Sequence, residues 1–296
     1  MRFAHVASRA FGRPLLLEPR RGLAFLRGIA SEIGRRELTA APPMMAMEDD
    51  EAGEARVQYA SLPVGLVERG SKAFPQLGNV AVIELTGALV NRLGSVSPWC
   101  GMTGYDGLRT QLVSALQDDS VKAIGVYVDS PGGEVTGCFD LAEQFREAAA
   151  EKPLWAIVDG CCCSAAYALM HGATRITVSS TGYVGSIGVI AAHWDFSKYL
   201  EEAGVKVSLI YAGARKADGN EYEPMPESVR AEFQAEIDAV YGQFLDLVGK
   251  GGRIDAKAAR ATESRSYLAS PSVDLKLADV VQSPSDALAE LIQSVS

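Results

Sequence analysis

Residues able to attack a carbonyl or cradle an anion are concentrated in two short stretches. The first is Ser130-Pro131-Gly132-Gly133. Two adjacent glycines permit backbone conformations closed to other residues and let a ligand approach the chain closely. Set before a helix, whose first N–H groups lack internal partners, they would make an oxyanion or phosphate cradle. The ordinary alternative is a Pro-Gly-Gly turn. The second stretch runs from Gly160 through Cys161, Cys162, Cys163 and Ser164 to Met170, small residues at a strand-to-helix turn with Ser164 where the helix begins. Ser164 either caps that helix or acts as a nucleophile whose tetrahedral intermediate is held by the backbone N–H groups of Gly133 and Ala165.

A nucleophilic serine needs a base. His171 is on the same expected helix, almost two turns of 3.6 residues beyond Ser164, and is out of reach. His193 follows an expected strand and meets no such obstacle. A lysine serves only if it is neutral at working pH, which takes burial or neighbouring positive charge. Lys216 follows the apolar run VKVSLIY through the small-residue loop Ala212-Gly213-Ala214-Arg215, which would let it turn inward. Spacing leaves Lys216 and His193 both open.

The elements that would position these residues read as an alternation of strands and helices. VAVIEL (80–85), AIGVYVD (123–129), LWAIVD (154–159), RITV (175–178), VGSIGVI (184–190) and VKVSLIY (205–211) have the β-branched content and flanking Gly, Ser, Asp or Pro of buried strands. Leu108, Leu112, Val113 and Leu116 keep helical spacing, as do Leu141, Phe145 and Ala149. The pattern predicts an α/β fold with a largely parallel sheet and right-handed crossovers. A longer helix is expected from about Pro226 to Val248, its apolar face formed by Phe233, Ile237, Val240, Tyr241, Phe244, Leu247 and Val248. That stripe is wide enough for both core packing and a subunit contact. In open α/β sheets ligands gather beyond the carboxyl ends of the strands, where both candidate stretches lie.

Upstream, residues 1–43 carry eight Arg against three acidic residues, and 48–54 carry five acidic residues and no basic one. The first block, with Leu15, Leu16, Leu17, Leu23, Phe25 and Leu26, reads as a basic helical N-terminal segment. Residues 44–78 read as an acidic, flexible linker, and 79–296 as the main domain. The whole chain has 296 residues, 48% hydrophobic and 22% charged, with a net charge of -9. These values suit a globular protein and disfavour a primary grip on nucleic acid or an anionic membrane. Cys100, Cys138 and the run Cys161 to Cys163 contain no CxxC pair, so neither a disulfide framework nor a zinc site is expected, and a reducing cytoplasmic compartment fits. No apolar run reaches membrane-spanning length, and no signal peptide or anchor is expected.

Together, DSPGGEVTG (129–137), CCCSAAYAL (161–169), TGYVGSIGVI (181–190) and IYAGARKADGN (210–220) resemble the S49 serine peptidases, the relatives of signal peptide peptidase A. AHVASRAFGRPLLLEP near the start, GMTGYDGL (101–108) and KADGNEYEPMPESVR (216–230) are similar to the capsid assembly proteases of lambda-type phages. The resemblance implies a ClpP/crotonase-like fold and a Ser-Lys dyad, with Ser164 as nucleophile and Lys216 as base. Ser186 would orient the lysine, and Gly133 and Ala165 would form the oxyanion hole. No cofactor or metal is implied. It further implies an oligomer in which Lys216 can serve the Ser164 of an adjacent chain, with scaffold and portal-region proteins as substrates inside the assembling head in the host cytoplasm. Lambda-type relatives often continue into a scaffold-like extension, so scaffold is expected as a separate product or outside this sequence. A crotonase-like acyl-CoA enzyme and a non-catalytic shell component are the competing expectations.

Overall fold

The computed structural model describes residues 14–18, 72–98 and 101–296. Its centre is a set of parallel strands: β3 (Val80–Val90), β5 (Ala123–Glu134), β6 (Leu154–Cys163), β7 (Arg175–Val178) and β10 (Val280–Val281). The order across the sheet is β10-β7-β6-β5-β3-β2, with β2 (Gln76–Leu77) antiparallel at the edge. Helices α1 (Tyr105–Gln117), α2 (Cys138–Glu151) and α3 (Ala165–Met170) form the crossovers between strands.

Alternation along each strand explains why both faces are covered. Ala81, Ile83, Leu85, Ile124, Val126, Val128, Ala156 and Val158 point into the main core with Leu108, Leu141 and Phe145. Their neighbours Val80, Val82, Ala123, Tyr127, Trp155 and Ile157 point the other way, onto Ala287, Leu288 and Leu291 of α8 (Pro284–Ser294). Ser283 caps α8 through its hydroxyl, which accepts from the Asp286 N–H at 3.2 Å, and Pro284 suits the first turn.

Past residues 128 to 130 the two central strands change partners. β5 shifts register against β3 and β6, and its final residues pair with β1 (Leu15–Leu17). Residues Cys161–Cys163 of β6 pair with β8 (Tyr183–Gly185), which in turn pairs with β9 (Ser266–Leu268). This second leaf of sheet carries the candidate chemistry.

Several expectations need correction. Ser130 to Gly133 is not a turn at a helix start but a continuation of β5, and α2 begins only at Cys138. The three cysteines extend β6, because buried Cys behaves as a small apolar residue. Leu15–Leu17 is a strand rather than helical, its partner more than a hundred residues away in sequence. Within the expected linker, residues 72–78 belong to the domain, since Phe74 is buried and β2 pairs with β3. The remaining expectations for 1–43 and 44–71 lie outside the described residues. Of VGSIGVI only Val184 and Gly185 are strand, and VKVSLIY forms none, because no sheet edge meets it. The long helix, here α5 (Glu227–Lys250), begins beside Pro226 as expected. Phe244, Leu247 and Val248 are buried, whereas Phe233, Ile237 and Val240 further from its end are only partly covered.

Candidate active site

Ser164 joins β6 to α3 with φ 56° and ψ -116°, a conformation that costs an L-residue about 1–3 kcal/mol. It occupies the cap position of α3, yet its hydroxyl makes no capping hydrogen bond. Its Oγ lies instead 3.4 Å from the Gly188 carbonyl, while its N–H donates to the Gly185 carbonyl at 2.8 Å. An ordinary N-cap serine has extended backbone and bonds the helix N–H groups. This serine does neither; it sits at a strained strand–turn–helix elbow.

Ser186 is beside it. Cys163 of β6 and Gly185 of β8 are paired neighbours, so the residues that follow, Ser164 and Ser186, leave adjacent strands together. Ser186 is also buried and also has positive φ, 55°, with its N–H donating to the Arg265 carbonyl at 2.9 Å. Ser264 steadies the segment between them and Ile190 by donating to the Ile187 carbonyl at 2.9 Å.

The glycine cradle is built by β5. Gly132 has φ 104°, and a Cβ there would stand 3.0 Å from the Ala165 N atom and collide with the Leu16 carbonyl. A Cβ on Gly133 would collide with the Leu89 carbonyl of β3. Both positions therefore require glycine, on conformational grounds at Gly132 and on close approach at Gly133. Ser130, which sequence reading treated only as part of the motif, braces this stretch. Its Oγ donates to the Gly87 carbonyl at 2.6 Å and accepts from the Gly132 N–H at 3.1 Å. Asp129 adds a second brace, its Oδ1 accepting from the Cys161 N–H at 3.0 Å. Gly132, and with it the cradle, is thus brought by β5 to Ala165 beside Ser164.

Lys216 is not. It sits in a solvent-exposed turn, and among the described residues its Nζ makes no hydrogen bond or ion pair. The turn is fixed on α5 by Arg215, which pairs with Asp218 and grips both carboxylate oxygens of Glu232. The surrounding arm, residues 191 to 225, includes α4 (Ser197–Glu202) and exposes Phe196, Tyr199, Val205 and Tyr211, with Ile210 98% exposed. His193 belongs to the base of this arm, its Nε2 3.0 Å from the Asn220 carbonyl. His171 ends α3, Nδ1 2.6 Å from the Ala168 carbonyl, and burial lowers its affinity for a proton. Burial likewise pushes the Cys138 thiol up to about 12 and the Cys162 thiol higher still, which disfavours the nucleophilic thiolate. Among the described residues no three His, Cys, Asp or Glu side chains converge in a metal-binding group.

Serine, an anion cradle and a strained elbow are an arrangement for acyl transfer, and the similarities point the same way. The chain is 33% identical over 293 residues to the head-tail preconnector protein GP5 of Enterobacteria phage P21, covering 99% of this chain and 58% of that protein. It is 34% identical over 284 residues to the capsid assembly protease C of Escherichia phage lambda, covering 96% of this chain and 64% of that protein. It thus spans about three fifths of the length of these relatives. Protease 4 of Haemophilus influenzae is 24% identical over 220 residues, 73% of this chain and 35% of that protein. Residues 102–181, from β4 (Met102–Gly104) to the approach of β8, match the Clp protease family. Residues 146–296, just over half the sequence and including both site serines and Lys216, match the S49 peptidases, and the chain belongs to peptidase family S49.

Proposed function

We propose that the chain is a serine endopeptidase of phage or prophage head maturation, with Ser164 as nucleophile and Lys216 of a neighbouring copy as general base. The observation that carries this reading is the backbone of Ser164: a buried serine held at φ 56°, released from helix capping, beside Ala165 and the Gly132-Gly133 cradle. In the reaction the neutral Lys216 amine takes the Ser164 proton and the alkoxide attacks the substrate carbonyl. The Gly133 and Ala165 N–H groups stabilise the oxyanion. As the intermediate collapses, the lysine ammonium protonates the leaving amine, and a water activated by the same amine then hydrolyses the acyl-enzyme. Ser186 bonds the amine and fixes its direction.

The exposure of Lys216 in a single copy supports a shared site. So do the bare apolar arm and the half-covered face of α5 at Phe233 and Ile237, which a ring of subunits would cover. Among the described residues no helix is long and apolar enough to cross a membrane. We place the enzyme in the host cytoplasm, within the assembling head, with scaffold and portal-region proteins as substrates.

The test is co-expression with the neighbouring head proteins, comparing cleavage products for wild type, Ser164→Ala, Lys216→Ala and His193→Ala. The first two variants are expected to abolish processing and the third to retain it. Loss of processing in His193→Ala with retention in Lys216→Ala would reverse the assignment of the base. A serine-directed phosphonate is expected to label Ser164.

A further inference from the structure

The groove beside Ser164 is filled by the chain itself. β1 runs antiparallel to the end of β5, with Leu15 opposite Glu134, Leu16 opposite Gly133 and Leu17 opposite Gly132. Glu18 donates its N–H to the Pro131 carbonyl at 2.6 Å. On the opposite edge Leu15 exchanges both backbone hydrogen bonds with Ile190, at 2.7 and 2.9 Å. Leu15 to Glu18 are all buried, and Ser164 has no exposed surface. A short extended segment held by backbone on both edges has the geometry of a peptide ligand bound by strand addition.

Its register is specific. Hydrogen-bonded and non-bonded pairs alternate along an antiparallel ladder. Since Glu18 bonds Pro131, the next bonded pair is Leu16 with Gly133, and the Gly133 N–H faces the Leu16 carbonyl. That carbonyl also lies against Gly132 Cα on the side of the Ala165 N–H. The Leu16 oxygen thus lies in the glycine cradle that the proposed function assigns to the substrate carbonyl. The Leu16 side chain enters the same apolar cluster as Ala165 and Ile187.

We propose that Pro14 to Glu18 is an internal, substrate-like strand that blocks the substrate groove. The groove accordingly takes extended apolar segments, with leucine as the residue whose carbonyl meets Gly133 and Ala165. The first statement rests on backbone pairing; the second rests additionally on the proteolytic reading of Ser164. Substrate enters when this strand is displaced, and in one chain the strand competes as a tethered ligand at high effective concentration.

The test locks the strand in place. Leu15 and Ile190 form a hydrogen-bonded antiparallel pair, whose ~5.5 Å Cα separation suits a disulfide. The double variant Leu15→Cys/Ile190→Cys is made in the full chain, and the crosslink is mapped by mass spectrometry. Binding of a fluorescent Pro-Leu-Leu-Leu-Glu-Pro peptide is measured in a Ser164→Ala background, and cleavage of its quenched counterpart with Ser164 intact. The reduced form is expected to bind and cleave, and the oxidised form to bind at least about tenfold more weakly and cleave correspondingly little. Failure of the crosslink to form overturns the proposal, as does equal binding in the two redox states, including none in either. If binding follows the lock but neither form cleaves, the groove assignment stands and the proteolytic reading falls. Cleavage that ignores the lock has the opposite meaning. Leu16→Asp, which places a charge in the apolar cluster, is expected to bind the peptide more tightly than the unsubstituted strand allows; unchanged affinity in a folded protein also overturns the proposal.

Discussion

At the scale of single residues, the strained backbone at Ser164 weighs against the capping role that its sequence position leaves equal to a nucleophilic one. Alanine at this position removes the hydroxyl but keeps the strain, whereas glycine removes both. Relief of about 1–3 kcal/mol is opposed by about 0.5–1 kcal/mol from the freer unfolded chain. Ser164→Gly is therefore expected to be inactive and more stable than Ser164→Ala by about 1 kcal/mol in chemical denaturation. A glycine variant less stable than the alanine one would mean that the conformation is not strained. His171 gives a second residue-level outcome. Burial lowers its folded pKa below the ordinary 6.5, with the Ala168 carbonyl and Glu143 opposing the shift and Arg146 and Arg253 reinforcing it. The unfolded chain then binds the proton more readily, so stability is full above the unfolded pKa and falls as pH drops below it. The urea midpoint should decline from about pH 7.5 to 5.5 more steeply in wild type than in His171→Gln, and parallel slopes would refute the assignment.

At the scale of elements, the glycine cradle depends on how closely β3 approaches β5. A Cβ at Gly133 must push against the Leu89 carbonyl, which is backbone and cannot swing aside. Gly133→Ala should cost about 1–3 kcal/mol and move the N–H proposed to face the oxyanion, so that peptide cleavage collapses while Ser164 still reacts with a small phosphonate. Unaltered cleavage would place the oxyanion elsewhere. The same strands show what local sequence can convey. β3, β5, β6 and β7 were legible because their apolar residues alternate between two buried faces, and RITV matches β7 end to end. The Gly-Gly and Cys-Cys-Cys stretches were identified as unusual but misplaced on turns, since their strand character comes from β1, β3 and β8 beside them. Leu15–Leu17 was misread as helical for the same reason. VKVSLIY has strand composition without a neighbouring edge, and its Ile210 is left bare. Of the candidate site, Ser164, Gly133 and Ala165 stood out by type and spacing and Ser186 only through the family resemblance, whereas the braces at Ser130 and Ser264 depend on contacts that no local pattern reveals.

At the scale of the whole molecule, the separation of Lys216 from Ser164 is the feature with the most consequence. The lysine turn is anchored to the first half of α5 through Arg215 and Glu232, while Phe244, Leu245, Leu247 and Val248 towards the other end of α5 are buried in the core. In the proposed shared site, an arm built this way would present its lysine to another copy rather than fold back. If each site takes Ser164 from one subunit and Lys216 from the next, a chain lacking only the serine and a chain lacking only the lysine complement each other. Ser164→Ala and Lys216→Ala chains, each inactive alone, should regain activity when co-expressed in equal amounts. Random neighbours pair an intact serine with an intact lysine at about a quarter of the sites, which sets the expected recovery relative to wild type. Addition of Ile210→Asp to both chains should abolish that recovery and reduce the oligomer seen by sedimentation, because the charge falls on the exposed apolar arm. A mixture that stays inactive while sedimenting as a mixed oligomer would show that both residues of the dyad come from one chain, and the arm would then have to fold inward to bring Lys216 to its own Ser164.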